Sequence, residues 1–226
     1  MRFKAFIIAV MVTVMALVAT PAMADKRLFV PDTDKPLTGL SNLKYSGPQF
    51  SSLSFVCDNK LYTSVFSALT VADVKNLYND VVVAIHYGIT DMEVFINSPG
   101  GDAFSGLALA DMIERARKMG MKVTGYACGI VASAAVPVYA VCTVRKAAPG
   151  TIFMVHETSI WKWPGRETAS DIRSQNSLME LLRNRYISKL VANSSLTKED
   201  WEELEHKTTW FDAEKAKSFG LIDIIE

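Results

Sequence analysis

Apolar segments and glycine-bearing turns alternate through the middle of this 226-residue chain, and that alternation limits its fold more than any other feature. Glu93-Val94-Phe95-Ile96 is a short apolar run typical of a buried strand, and a sharp turn from Asn97 to Asp102 follows it. Apolar residues then recur at helical spacing as far as Met119, and Lys122 to Ala127 has the pattern of another strand. Strand, turn, helix and strand in series predict βαβ units, an α/β fold and a largely parallel sheet.

The remaining elements are predicted as parts of one domain over residues 53–226, because no internal repeat or second domain is visible. Helices are expected at 70–87 and 171–192, and the small residues at 128–135 favour the opening of a further helix. Strands are expected at 141–144 and 152–155, with another helix and a closing strand at 220–223 near the end of the chain.

The first 24 residues have the composition of a targeting segment. Arg2 and Lys4 precede an apolar run from Ala5 to Ala19, and Ala22-Met23-Ala24 places small residues where a signal peptidase cleaves. The apolar run is short for a membrane span, which needs about 20 residues. We therefore predict a cleaved signal peptide (1–24) and a periplasmic or secreted protein, with an uncleaved membrane anchor as the alternative. Residues 25–52, rich in Pro and Gly, are expected to form an irregular arm.

The overall composition excludes several classes of protein. Half of the residues are hydrophobic, which predicts a folded chain, and 24 basic residues balance 24 acidic ones. This balance gives no electrostatic reason to expect a nucleic-acid partner. The three cysteines show no zinc-site spacing and the three histidines are far apart, so neither a metal nor a cofactor is predicted.

Candidate catalytic residues follow three of the predicted strands. The turn from Ser98 to Gly101 can bring backbone N–H groups close to a substrate oxygen, because glycine tolerates unusual dihedral angles. Ser133 is predicted near a helix N-terminus, where the N–H of Ala134 would be unpaired. His156 closes an apolar strand and could serve as a general base. Each feature also has a purely structural interpretation: a tight turn, a helix cap and a buried histidine.

The order of five motifs makes the functional interpretation more specific. A Phe-Ile-Asn-Ser-Pro-Gly-Gly turn at 95–101 is followed by a Gly-x-x-Ala-Ser segment ending at Ser133 and by Phe-Met-Val-His ending at His156. Further along are Thr168-Ala169-x-Asp171-Ile172 after Gly165, and Phe211-Asp212-Ala213 before Phe219-Gly220-Leu221-Ile222-Asp223. In this order, over residues 55–224, the chain resembles the proteolytic subunit of the Clp protease. The resemblance implies a crotonase-like α/β fold with a protruding handle helix, and heptameric rings stacked face to face.

The resemblance also implies roles for individual residues. Ser133 corresponds to the nucleophile and His156 to the base, while Gly101 and Ala134 correspond to the two oxyanion donors. Ala134 stands where the family often has methionine, which should not matter if only its backbone N–H is used. The family's aspartate falls on Leu204, which cannot orient an imidazole, so a one-residue shift to Glu205 is the expected third member. A solvated acidic helix face, or a serine–histidine dyad, remains the alternative.

These observations predict an exported serine endopeptidase acting on peptides or unfolded proteins. Assembly is expected through the long helix after Asp171, whose apolar positions include Ile172, Met179, Leu182 and Tyr186. An ATP-driven unfoldase partner is not expected for an exported protein, because ATP has no obvious supply there. Two alternatives stay open: a non-catalytic assembly or binding protein of the same fold, and an acyl-CoA enzyme of the wider crotonase group.

Overall fold

The structure is a computed structural model that describes residues 50–159 and 166–226. The predicted signal peptide, nearly all of the predicted arm and Gly165 lie outside these residues. The described strands are β1 (Phe55–Cys57), β2 (Lys60–Phe66), β3 (Asp91–Ser98), β4 (Lys122–Ala132), β5 (Val144–Ala147), β6 (Ile152–Val155), β7 (Thr209–Asp212) and β8 (Ile224–Ile225). The described helices are α1 (Val71–His86), α2 (Ala103–Lys118), α3 (Ala135–Ala140), α4 (Ala169–Ala192), α5 (Lys198–His206) and α6 (Ala213–Ser218).

The strands form one sheet in the order β1-β2-β3-β4-β5-β8. From β2 to β8 every neighbouring pair is parallel, and β1 adds an antiparallel edge. The far end of the long strand β4 pairs with β6, which in turn pairs antiparallel with β7. The predicted α/β fold with a largely parallel sheet is therefore confirmed.

Short sequence motifs mark the first residues of helices α1 and α4. Helix α1 begins after Thr70, whose backbone N–H donates to the Asp73 carboxylate at 2.7 Å. Helix α4 begins after Thr168, whose hydroxyl accepts from the Asp171 N–H at 3.2 Å. Both are capping boxes, in which a threonine and an acidic residue three positions later satisfy each other's backbone donors. No helix in the described part of the chain is long and apolar enough to cross a membrane.

Three predicted boundaries are wrong. Residues 128–132 continue strand β4 instead of opening a helix, because Ile130, Val131 and Ala132 pair with β6. Val141 ends helix α3, and the following strand is β5 at Val144–Ala147. The closing strand is β8 at Ile224–Ile225 rather than 220–223, since Gly220 adopts a positive φ of 72° that interrupts extended structure.

Helix α4 divides into two halves with different surroundings. Its second half packs on the domain through the buried side chains of Leu182, Tyr186, Ile187 and Leu190. Its first half is largely exposed, as expected for a handle helix, with Ile172 44% exposed. The half that packs on the domain forms one wall of the cavity that contains Ser133.

Candidate active site

An irregularity in the sheet directs strand β4 toward the site. Strand β3 pairs Ile96 with Ala127 but then Ser98 with Val131, so β4 carries extra residues between these two pairs. The side-chain oxygen of Asn97 accepts a hydrogen bond from the N–H of Ile130 at 3.2 Å and holds this bulge in place. Bulges bend a strand and redirect the side chains that follow. Beyond this one, β4 changes partner to β6 and leads directly into Ser133.

Ser133 occupies a sharp turn between a strand and a helix. Its φ is +53°, a left-handed conformation that is uncommon for residues other than glycine. Its N–H donates to the carbonyl of Met154 at 2.8 Å, and helix α3 begins two residues later with Ala134 as the N-cap. Residues held in such conformations cluster at functional sites. The turn leaves the Ser133 side chain half-buried at the cavity wall.

His156 reaches Ser133 because strands β4 and β6 end at the same edge of the sheet. The two strands are parallel and pair Ala132 with Met154, so each chain leaves the sheet at a similar level. The imidazole Nε2 lies 2.8 Å from the Ser133 Oγ. This is hydrogen-bond distance for a base that removes the hydroxyl proton of a nucleophile. The structure thus brings together the two residues that the sequence singled out.

The Ser98–Gly101 turn packs directly against the Ser133 turn. Buried Ser98 braces it by donating its hydroxyl to the Ser67 carbonyl at 2.6 Å. Gly100 has a φ of +92°, and a Cβ added there would lie 2.6 Å from the Cβ of Ser133. Only glycine therefore allows this approach. Gly101 comes next and borders the same cavity as Ser133.

Two backbone N–H groups next to the Ser133 turn correspond to the predicted oxyanion donors. They belong to Gly101 and Ala134, and neither has a hydrogen-bond acceptor among residues 50–159 and 166–226. Both residues border the cavity together with Ser133 and His156. Unpaired donors near a nucleophile can stabilise a negative oxygen as it develops. The two predicted donors therefore border the same cavity as the nucleophile, with N–H groups that are unpaired within these residues.

The cavity next to Ser133 has a volume of about 710 Å³ and mostly apolar walls. Its lining comes from the Ser98–Gly101 turn, α2, the Ser133 turn, the segment after β6 and α4: Pro99, Gly101, Asp102, Ala103, Phe104, Leu107, Ser133, Ala134, Pro137, His156, Thr158, Ser159, Leu178, Leu182 and Tyr186. Its volume falls within the usual range for a ligand site. The arrangement offers an apolar side chain of a substrate a place beside the reactive groups.

Glu205 is brought into the interior but is held by a different partner. It lies in the last turn of α5 with only 1% of its surface exposed, and its Oε2 accepts from the Nε of Arg183 at 2.7 Å. Its Oε1 has no partner within the described residues, and no hydrogen bond there joins Glu205 to His156. Burial raises the pKa of Glu205, an effect that Arg183 only partly offsets. Leu204, the ungapped alternative, packs against the hydrophobic core.

Sequence reasoning did not identify the hydrogen bond of Tyr186 to Ser133 or the pairing of Glu157, next to His156, with His206. Tyr186 donates its hydroxyl to the backbone carbonyl of Ser133 at 3.3 Å, although the sequence placed it only as an apolar position of a long helix. Glu157, directly after His156, pairs with His206 at 2.8 Å, and that hydrogen bond lowers the pKa of Glu157. Both contacts join residues far apart in the chain, so no local pattern could have revealed them.

Comparisons with known proteins identify relatives of this chain. A family model described as Clp protease matches residues 57–226. The ATP-dependent Clp protease proteolytic subunit 3 of Rhizobium etli is 32% identical over 142 residues, covering 60% of this chain and 68% of that protein. Subunit 1 of Chlamydia abortus is also 32% identical, over 132 residues that cover 57% of this chain and 66% of that protein.

A solved structure shares the fold. A mutant of ClpP1 from Listeria monocytogenes superposes with a TM-score of 0.63, covering 73% of this chain and 90% of that one. Its sequence identity is 19%, so this likeness shows the fold alone. The α/β fold of the Clp proteolytic subunit, expected from the sequence motifs, is thereby confirmed.

Proposed function

This chain belongs to the Clp protease family, and from that premise we propose that it is a serine endopeptidase that cleaves peptides or unfolded proteins through an acyl-enzyme on Ser133. Family membership by itself supports a serine protease function in general. The observation that carries the specific proposal is the 2.8 Å contact between the Ser133 hydroxyl and His156 Nε2.

The proposed reaction uses the two turns and the histidine together. Ser133 Oγ attacks the peptide carbonyl carbon while its proton passes to His156 Nε2, and the carbonyl oxygen becomes an oxyanion. The N–H groups of Gly101 and Ala134 stabilise that oxyanion, and one such donor contributes about 3 kcal/mol in related sites. The C–N bond then breaks, the protonated histidine gives its proton to the departing amine, and water activated by the same histidine hydrolyses the ester.

Glu205 is the proposed third member, which would orient the imidazole. The support for this role is a buried carboxylate with one unpartnered oxygen, on the element that precedes strand β7. Strand β7 pairs Thr209 with Val155, the residue before His156. In this proposal Glu205 exchanges part of its contact with Arg183 for the imidazole when substrate binds.

The lining of the cavity indicates the substrate. Phe104, Leu107, Leu178 and Leu182 give it apolar walls, so we propose that an apolar side chain next to the cleaved bond occupies it. Unfolded chains and peptides expose such side chains, whereas folded proteins bury most of them.

The proposal extends to assembly and location. The exposed first half of α4 supports association of copies of this chain into stacked rings, as the family resemblance implies. Export, proposed from the sequence of residues 1–24, would separate the enzyme from ATP-dependent unfoldases and leave peptides or unfolded chains as substrates. N-terminal sequencing of the mature protein is expected to begin at Asp25, and retention of Met1 in the cytoplasm would contradict export.

The central test replaces Ser133 with alanine. Ser133→Ala should abolish both hydrolysis of a fluorogenic peptide with an apolar residue before the cleaved bond and labelling by a fluorophosphonate, which reacts with activated serines. The fold should persist, because loss of a hydroxyl at a half-buried turn costs about 1 kcal/mol. Ser105→Ala, which removes a serine hydroxyl that donates to Asp102 at 2.6 Å, is the matched control and should retain labelling.

A Ser133→Ala variant that cleaves the peptide as fast as the parent would refute the serine mechanism. A parent protein that assembles but neither cleaves nor labels would favour the non-catalytic alternative. Turnover of a CoA thioester would favour the acyl-CoA alternative.

A further inference from the structure

Tyr186 contacts the backbone of the nucleophile rather than its side chain. The tyrosine lies in the second half of α4, is 8% exposed, and donates its hydroxyl to the Ser133 carbonyl oxygen at 3.3 Å. Burial raises the pKa of Tyr186, so the hydroxyl stays protonated and remains a donor. The same carbonyl also accepts from the N–H of Val136 at 3.0 Å.

The geometry of a peptide unit connects this contact to the oxyanion site. The Ser133 carbonyl and the Ala134 N–H belong to one planar trans peptide, in which the two groups point in opposite directions. Donors that hold the carbonyl on one side therefore aim the N–H to the other side. The Ala134 N–H has no acceptor of its own in the described parts of the chain, so its direction is set from the carbonyl side.

The second oxyanion peptide is held in the same way. The Gly100 carbonyl accepts from the Leu69 N–H at 2.8 Å, and this bond aims the Gly101 N–H in the opposite direction. In that case the donor is a backbone N–H, that of Leu69, from a neighbouring segment. Ser133 has a less favourable φ of +53°. Its carbonyl accepts a local hydrogen bond from the Val136 N–H and a second one from the Tyr186 hydroxyl on helix α4.

We propose that Tyr186 is a positioning residue for the oxyanion site: by holding the Ser133 carbonyl, it keeps the Ala134 N–H aimed at the substrate oxygen. This inference rests on the proposed serine peptidase function. It makes α4 part of the catalytic framework, because displacement of that helix would release the peptide that carries one oxyanion donor.

The test removes only the hydroxyl. Tyr186→Phe should lower kcat for peptide hydrolysis about tenfold, less than the 10²–10³-fold loss that follows removal of an entire oxyanion donor. KM should stay within about twofold of the parent value, because the interaction acts on the transition state and not on substrate binding. A peptide boronate, whose tetrahedral adduct with serine places an oxygen in this site, should bind correspondingly more weakly.

Tyr139→Phe is the matched control. Tyr139 is fully buried, and like Tyr186 it donates its hydroxyl to a backbone carbonyl, that of Lys146, at 3.0 Å. This variant should lose a similar amount of stability but keep kcat near that of the parent. All assays are made at a temperature where circular dichroism shows both variants to be folded.

The outcomes separate the inference from the proposed function. A tenfold loss of kcat in Tyr186→Phe alone, with weaker boronate binding, supports the positioning role. Equal kcat in the two variants, or a loss that appears only in KM, overturns it while the peptidase proposal stands. A parent protein without Ser133-dependent hydrolysis refutes the proposed function itself.

Discussion

The close approach of two turns at the candidate active site depends on the absence of a side chain at Gly100. Its α-carbon sits so close to the Ser133 turn that an added methyl group would lie 2.7 Å from the Ala132 carbonyl oxygen as well as touching Ser133. Real Cβ atoms do not approach other atoms this closely, and the φ of +92° would be strained for any other residue. The two turns can therefore converge only if this position carries no side chain.

Gly100→Ala should consequently lower peptide turnover by about 10²-fold, the effect of losing one oxyanion donor, because the two turns must move apart. The matched control is Gly150→Ala, since a Cβ added at Gly150 has no neighbour within 4 Å. Initial rates and thermal melting of both variants provide the measurement. Unchanged turnover in Gly100→Ala would show that the turns need not approach each other for catalysis.

The role of Glu205 as the residue that orients His156 needs a test, because its hydrogen-bond partner in the structure is Arg183. Glu205→Gln should reduce kcat by about 10⁴-fold if the carboxylate holds the imidazole tautomer, as triad carboxylates do. Glu202→Gln removes a second, more distant partner of Arg183, at 3.4 Å, and should leave kcat nearly unchanged. An unchanged rate in Glu205→Gln would assign the role to a neighbouring group or leave a dyad.

At the scale of elements, the long helix α4 performs two separate tasks. Leu182 and Tyr186 from its second half line the cavity, while other apolar side chains on the same helix are exposed. Ile172 in the first half is 44% exposed, and Leu181, near the middle of the helix, is 64% exposed. Apolar residues exposed together on one element often mark an interface.

Leu181→Lys should therefore weaken assembly and shift light-scattering mass toward smaller species at micromolar concentration. Met119→Lys, which changes an apolar residue that is 52% exposed at the end of α2, is the control and should leave the mass unchanged. Assembly that survives Leu181→Lys would place the interface elsewhere, and a monomeric parent protein would argue against a closed chamber.

At the scale of the whole molecule, one arginine joins three distant segments. Arg145 in β5 pairs with Asp223 at 2.6 Å and also donates to the Gly220 carbonyl at 3.0 Å and to that of Asn193, at the end of α4. Burial on its own would raise the pKa of Asp223, but the hydrogen bonds and charge of Arg145 outweigh it and lower that pKa. The C-terminal segment is thus attached to the sheet by an ionised carboxylate.

A lowered pKa in the folded state means that Asp223 stabilises the fold above the pKa of an unfolded aspartate, about 4, and loses this contribution as the pH falls through the folded value. Asp223→Asn should lower the free energy of unfolding by about 1 kcal/mol at pH 7, a value reduced by solvent screening of this partly exposed pair. In urea titrations the difference from the parent should shrink below about pH 4.

Glu214→Gln, on the exposed surface of α6, is the control for this titration and should show a smaller difference at both pH values. A deficit in Asp223→Asn that persists unchanged at low pH would mean that shape, not charge, accounts for the loss of stability.

The sequence by itself determined the features that depend on neighbours within a few residues. Alternating apolar runs and glycine turns predicted the βαβ arrangement, and threonine–aspartate pairs three residues apart set the starts of α1 and α4. Ser133 and His156 were also identifiable, because each follows an apolar strand and their motifs occur in the order of the Clp proteolytic subunit. These signals can be recognised in the sequence without knowledge of the fold.

Only the tertiary structure decided which distant groups meet. Residues 130–132 extend β4 because β6 pairs with them, although the run of small residues at 128–135 had favoured the opening of a helix. Three contacts follow from the packing of strands and helices. They are the 2.8 Å contact of His156 with Ser133, the hydrogen bond from Tyr186 to the Ser133 carbonyl, and the hydrogen bond from Arg183 to Glu205. Each joins residues at least 22 positions apart, and contacts at such separations depend on strand register and helix packing rather than on local sequence.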